Sequence, residues 1–448
     1  MNAKRLTADD VALHVLAELS PDQRAELLVR PEEDLQDYLD KVAPVVDAVR
    51  AEGDAAVIRF ARKFDGADLD AGSIAAGPED FARARAALDP DLIRTLEYAA
   101  DNIRRYHEAQ RPQEMWMKEI RPGVLVGGRH TPVDSAALYV PRGKGSFPSV
   151  ALMTAIPAVV AGVKQPIMLT PPKPDGGIDD ATLVAAEIAG ITHVYKAGGA
   201  VAVAAAAYGT ETIPRCVKFE GPGSPWVVAA KRFLQGRIAS RVPAGPSESI
   251  VLADATTSPE LAALDLLIES EHGADSAVYL VTWDADFAAA ARAAIPGYWR
   301  EMGAGRVEFS RAVLGGTNGG IVLAGSPEEA YAFVNDYAPE HLQILSQVPF
   351  EHLNHINNAS EILLGEHAAG SIANYVMGPN AVLPTAGAAR FGSPLGVYDF
   401  MKSASVGHVS ATGYAEMAPH THRFAVYEGF DGHANAVSPL REKALGRR

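Results

Sequence analysis

The spacing of apolar positions changes near residue 124, and the change divides the chain. Before it the period is helical. Leu35, Leu39, Val42, Val45, Val46 and Val49 share one face of a helix that begins after Asp34 and ends at Gly53. A second helix carries Val57, Ile58, Phe60 and Ala61, and Leu88, Leu92, Leu96 and Ala99 mark another helical face within 78–110. Residues 1–30 read as short polar helices. Beyond the change, short apolar runs at 124–126, 136–140, 166–170, 193–195 and 216–219 read as strands. Helix-like segments at 149–162, 179–189, 199–207 and 224–234 separate the later ones. Such alternation predicts a parallel sheet covered on both faces. A second unit repeats it, with strands at 249–253, 278–282, 321–323, 343–344 and 362–364. Its first helix has Ser258 as N-cap and Pro259 at the first helical position, buries Leu261, Leu264, Leu267 and Ile268, and stops at Gly273. Further helices are expected at 286–295 and 328–334. The C-terminal stretch shows helical pieces and no further strand pattern, so it reads as an extension.

Composition narrows the function. The 448 residues suggest about three domains at ~150 residues each. Forty basic against 55 acidic residues give a net charge of −15, which argues against a nucleic-acid or anionic-membrane partner, since both need a basic face. The single cysteine excludes an intramolecular disulfide and a cysteine zinc finger; Cys216, in a predicted strand, reads as a small core residue. No apolar run reaches the ~20 residues of a membrane helix, and the longest, 150–163, is interrupted by Thr154 and Pro157. The N-terminus moves into acidic residues without an apolar signal segment. A cytoplasmic protein is expected.

Several segments carry candidate chemistry. The glycine clusters at 141–145, 197–200 and 221–224 each fall between a strand and a helix. They are either tight turns or a cradle for an anionic nucleotide, where glycine lets backbone approach phosphate. Glu269 and His272 sit three residues apart on one helix face, either as metal ligands or as an ordinary helix end with a histidine favoured by the dipole. Glu340-His341 follows Pro339, which suits the first turn of a helix; the pair is either a helix-start acid with its neighbour or a general acid/base pair. Residues 373–385 lack a regular period and read as a loop. His433 lies in the extension and is a surface histidine in its simplest reading.

In this order the segments resemble the histidinol dehydrogenase family. Tyr139-Val140-Pro141, Gly198-Gly199-Ala200, Gly221-Pro222-Gly223, Ala244-Gly245-Pro246-Ser247-Glu248, Glu271-His272-Gly273, Pro339-Glu340-His341-Leu342, Gly378-Pro379-Asn380 and Leu383-Pro384-Thr385 match its motifs collinearly. The resemblance spans 34–437. It implies an α/β fold of two Rossmann-like doubly wound domains, with a small helical N-terminal piece and a C-terminal arm. The expected boundaries are 1–32 for the N-terminal segment, 33–138 with 249–393 for the domain holding metal and catalytic residues, 139–248 for the dinucleotide domain, and 394–448 for a dimerisation arm. The resemblance also implies a homodimer whose arms complete the partner's active sites, one zinc ion per subunit, and NAD-linked oxidation of an amino alcohol through the aldehyde to the acid. The zinc ligands fall on Glu269, His272, Asn374 and His433, and the general-base pair on Glu340 and His341. Substrate contacts fall on Ser247, Glu269, His272, His341, Asn374, Glu428 and His433, and cofactor contacts on Tyr139, Val201 and Ser224.

The departures from the family pattern point to a changed substrate. The family's Gln and Asp ligands are Glu269 and Asn374 here, so the set still offers one carboxylate, two imidazoles and one amide oxygen to a metal. A substrate-contacting histidine of the family is Ala381, the glycine before the loop ligand is Ala373, and two cofactor-binding amides are Val201 and Ser224. Losing a polar partner from a site built to hydrogen-bond costs roughly 1–3 kcal/mol per unpaired group. The expected substrate is therefore another amino alcohol, a polyol or a sulfonated diol. The alternatives are a true L-histidinol dehydrogenase and a non-catalytic metabolite-binding protein. NAD is the expected acceptor, with NADP left open. In the expected chemistry His341 removes the hydroxyl proton and Glu340 activates water for a second oxidation.

Overall fold

The computed structural model describes residues 7–30, 35–142, 145–241 and 245–446. Asp34, Gly143, Lys144 and Ala244, named above, lie outside the described residues. The chain forms two compact units, 1–110 with 133–400 and 111–132 with 401–448. Its strands in chain order are β1 (Leu13–Val15), β2 (Met115–Arg121), β3 (Val124–Pro132), β4 (Ser135–Tyr139), β5 (Gln165–Thr170), β6 (Val194–Lys196) and β7 (Lys218–Glu220). There follow β8 (Glu248–Ala253), β9 (Ala277–Thr282), β10 (Gly319–Leu323), β11 (His341–Leu345), β12 (Glu361–Leu364) and β13 (Met401–Val409).

The first unit is α/β and holds two parallel sheets. One has six strands in the order β1-β10-β9-β8-β11-β12. Strand β1 lies at one edge; from β8 in the middle the chain builds outward through β9 and β10 to meet it, then crosses to the other side for β11 and β12. Alternate residues of each strand enter opposite layers, as the two-residue period of a strand requires. Val251, Val278, Leu280 and Ile321 pack with Leu266, Phe287 and Trp299 on one face. Ile250, Leu252, Tyr279 and Val281 pack with Phe333, Val334 and Tyr337 on the other. A sheet buried on both faces reads in sequence as a short continuous apolar run.

The second sheet has four strands in the order β6-β5-β4-β7. Helices Gly199–Tyr208 and Pro225–Phe233 cover one of its faces. The Leu35–Glu52 helix joins the same cluster through Val42, Val45, Val46 and Val49, with the strand residues Ala137, Tyr139, Ile167 and Leu169. The sequence grouping assigned this helix to the six-stranded sheet. Its amphipathic period fixes which face is buried and carries nothing about the partner. In turn β1, within a segment expected to be helical, adds an edge strand to the six-stranded sheet by pairing with β10.

The second unit is an antiparallel sheet, β13-β3-β2, with helices Ala411–Tyr427, Asp431–Ala436 and Pro439–Ala444. Here the expectation of a purely helical extension is corrected. Met401–Val409 is a nine-residue strand paired along the full length of β3. Most of its side chains are exposed, so no apolar alternation marks it. No helix among the described residues is long and apolar enough to cross a membrane.

Candidate active site

Four elements of the first unit bring the expected residues together. The first is the Pro259–Ser270 helix, where Ser258 accepts the Leu261 N–H at 3.3 Å as N-cap and Glu269 sits in the last turn. His272 follows two residues after the helix, and its Nδ1 lies 2.9 Å from Glu269 Oε2 and 2.9 Å from Ser247 Oγ. The second element is the short Gly370–Tyr375 helix. It carries Asn374, whose Nδ2 donates to Glu269 Oε1 at 2.9 Å, so this position is helical rather than loop. The third is β8, reached directly from Ser247. The N–H of its first residue, Glu248, donates to Glu340 Oε2 at 3.0 Å. The fourth is β11, which begins at His341.

The placement of Glu340 and His341 is a second correction. Pro339 does not open a helix. The Pro327–Tyr337 helix ends at Ala338 in the left-handed region (φ 54°), and Pro339-Glu340 lead into a buried strand. A macrodipole therefore does not account for Glu340. His341 Nε2 lies 3.8 Å from Glu340 Oε1, and His341 Nδ1 lies 2.7 Å from Glu361 Oε2.

These groups shape one another's ionisation. Burial pushes the Glu340 carboxyl up to about 8; His341 opposes the rise and Glu269 adds to it. For His341 burial works against the proton, but Glu340, Glu269 and Glu361 outweigh it and raise the imidazole to about 10. Burial would raise Glu269, yet His341, His272 and Asn374 hold it down to about 2. The hydrogen bond that His272 donates to Glu269 raises the imidazole. At neutral pH the site thus holds an ionised Glu269, a neutral Glu340 and an imidazolium at His341.

The donor set can be tested for a metal. Among the described residues no cluster of three His, Cys, Asp or Glu side chains has metal-binding geometry. Glu269 and His272 supply two of the expected donors. Asn374 supplies the next: its Oδ1 is buried with no hydrogen-bond partner among the described residues, while its Nδ2 is fixed on Glu269. A buried amide oxygen without a donor is costly unless something positive meets it. A carboxylate, an imidazole and an orphaned oxygen side by side fit a divalent cation such as zinc.

A cavity of about 1570 Å³ runs past this cluster. Ser247 and His272 form part of its wall, with Arg142, Gly223, Ser224 and Arg232. The cluster sits at the amino ends of β8 and β11. Pro141 and Arg142 follow the carboxyl end of β4 and residues 221–224 that of β7, where the strand order of the four-stranded sheet reverses and doubly wound sheets take their ligands, whereas the cluster at 197–200 follows the edge strand β6. Gly221 has φ 135°, and a Cβ there would overlap the Tyr139 carbonyl oxygen. At Gly223 a Cβ would stand 2.6 Å from Val227. Both glycines are thus required by close contacts within the protein, while Ser224, the N-cap of the Pro225–Phe233 helix, brings a helix N-terminus, which favours an anion, to the cavity wall. Of the three expected cofactor positions, Ser224 is on the cavity wall. Tyr139 is buried and its hydroxyl accepts the Gly199 N–H at 3.0 Å, and Val201 packs into the core. Cys216 precedes β7 rather than lying in a strand; burial pushes its thiol up to about 12, so it is no nucleophile.

Glu428 and His433 belong to the second unit, where both are exposed; His433 lies in the Asp431–Ala436 helix against Phe430. Sequence reasoning missed two residues that the structure adds to the cluster. Glu361 holds His341, and Glu248 ties Glu340 to Arg30 through its backbone N–H and a 3.1 Å carboxylate contact. The one local sign of Glu361 is an acid at the head of an apolar run.

Comparison with known proteins places the chain among relatives of one family. The family model described as histidinol dehydrogenase matches residues 28–440. A histidinol dehydrogenase homolog of Colwellia psychrerythraea is 55% identical over 97% of this chain and 98% of its own length. The histidinol dehydrogenase of a Synechocystis species is 45% identical over 94% and 97%. The crystal structure of histidinol dehydrogenase from Elizabethkingia anophelis superimposes with a TM-score of 0.91 at 33% identity, covering 98% of this chain and 99% of that one.

Proposed function

The chain belongs to the histidinol dehydrogenase family, and from that premise we propose that it is a zinc-dependent, NAD-linked dehydrogenase acting on an alcohol other than L-histidinol. The observation that carries the reading is the orphaned Asn374 Oδ1 beside Glu269 and His272, next to the Glu340-His341 pair. Glu269, His272 and Asn374 would hold the metal together with His433 from the arm of a second copy, whose Glu428 would contact the substrate. When bound, zinc supplies a Lewis acid for the substrate oxygen and the dinucleotide supplies a hydride acceptor.

The chain's own residues do the rest. Ser247 and His272 orient the substrate at the cavity wall. His341 accepts the hydroxyl proton at Nε2, the ring nitrogen that faces Glu340. Glu340 is the base for water if the aldehyde goes on to the acid, a route that needs no cysteine. Both groups are protonated at neutral pH in the free site, so each must shed its proton before accepting another. Alcohol oxidation is expected to rise with pH from neutral through about 10, where His341 loses its proton, and acid formation through about 8, where Glu340 does. A diverged substrate is supported by Glu269, Asn374 and Ala381, and by relatives at 55–56% identity that carry the name homolog.

The test is metal analysis of the purified protein with an alcohol panel followed by NAD(P)H absorbance. One zinc per chain is expected. Asn374→Ala should weaken zinc binding by at least the roughly 10–100-fold that outer-shell partners cost. Wild-type zinc affinity in that variant contradicts the ligand assignment.

A further inference from the structure

Glu361 has no role in the scheme above. It opens β12 directly across from His341, the first residue of β11, in parallel register. Residues paired in this way send their side chains from the same face of the sheet. The two therefore meet, with His341 Nδ1 at 2.7 Å from Glu361 Oε2. His341 is 9% exposed and Glu361 6%. The other carboxylate oxygen, Oε1, is buried with no hydrogen-bond partner among the described residues. A buried charge left half-satisfied is a poor stabiliser compared with an apolar side chain of similar size. Packing does not explain an acid in front of Ile362, Leu363 and Leu364.

The geometry fixes the ring instead. A carboxylate only accepts, so the nitrogen facing it must carry hydrogen. That leaves Nε2 on the side of Glu340. We propose that Glu361 is a positioning residue, which keeps His341 protonated at Nδ1 and turns Nε2 to the alcohol. The inference rests on the reading of His341 as proton acceptor. In the step it serves, the O–H proton passes to Nε2 and Nδ1 keeps its own hydrogen. The C–H electron pair leaves as hydride to the nicotinamide, so the carbonyl forms with charges balanced.

The test uses the full-length protein as purified, with 15N-labelled histidine; the His341 signals are those absent from His341→Asn. Above the titration of the ring, the wild type should show the Nδ1–H tautomer. Glu361→Ala, and Glu361→Gln whose amide can donate instead, should admit the Nε2–H tautomer. With the fastest alcohol of the panel, Glu361→Ala should lose roughly 100-fold or more in kcat, as misplaced tautomers do elsewhere. KM should stay within about threefold, since the lost interaction serves the transition state. Glu361→Asp keeps the acceptor and should recover part of the loss. If Glu361→Ala unfolds, the near-isosteric Glu361→Gln carries the test. A folded variant with wild-type kcat, or with the Nδ1–H tautomer unchanged, overturns the proposal. If His341→Ala itself keeps full kcat, the base assignment fails. If His341→Ala is inactive while Glu361→Gln is unimpaired, the positioning role alone fails.

Discussion

Glu340→Gln should make the metal-stripped protein more stable than the wild type at alkaline pH. Glu340 is 8% exposed, and burial raises its carboxyl from the ordinary 4.5 to about 8. A carboxyl raised on folding favours the folded state while it is protonated. Its contribution is complete below pH 4.5 and is lost as pH rises to about 8. At ~1.4 kcal/mol per pH unit, the wild type loses ~5 kcal/mol across that window. Glutamine keeps an oxygen for the Glu248 N–H, now held at 3.0 Å, and has no charge to bury. The variant and wild type should thus coincide near pH 5 and separate as pH rises. With an unfolding entropy of ~2.1 cal/mol/K per residue, 448 residues turn ~5 kcal/mol into a Tm difference of ~5 °C. Thermal unfolding with chelator present, from pH 5 to 8.5, reads the difference. A variant that is less stable at pH 8.5, or offset by the same amount at every pH, refutes the claim that Glu340 is a buried, destabilised acid.

Other outcomes follow from the same geometry. His341→Ala should lower alcohol oxidation by roughly 10²–10⁴-fold, whereas Glu340→Gln should spare it and block aldehyde-to-acid conversion; NADH formed per alcohol separates the two. Wild-type rates in both steps for both variants contradict the assignment. Gly221→Ala puts a Cβ onto the Tyr139 carbonyl at φ 135° and should cost about 1–3 kcal/mol from backbone strain, read by denaturant melts, together with weaker dinucleotide binding. Deleting the residues after Phe424 removes Glu428 and His433 and should abolish activity while the rest stays folded by circular dichroism. A truncated protein with full activity contradicts completion of the site by the arm.

Local signals were the readable ones. Ser258-Pro259 marks its helix start by capping chemistry alone, and Glu269 with His272 can be paired by counting along the helix. The parallel-sheet class follows from short apolar runs alternating with helices. What could not be read depended on distant partners. Strand β13 has a polar, exposed sequence and exists because β3, nearly three hundred residues earlier, pairs with it. Strand β1 is three residues long and borrows its order from β10. Pro339 fits the first turn of a helix and equally the end of a turn before a strand. The left-handed Ala338 and the pairing of β11 with β8 decide it. Glu361 was invisible for the same reason, since its meaning is its register opposite His341.

The most direct test is the alcohol panel, L-histidinol included, run with NAD on the purified protein before and after chelation. NADH should appear fastest with an alcohol other than L-histidinol, vanish with the chelator and return on adding zinc. Absence of NADH with every alcohol, or a rate untouched by chelation, contradicts a zinc-dependent alcohol dehydrogenase.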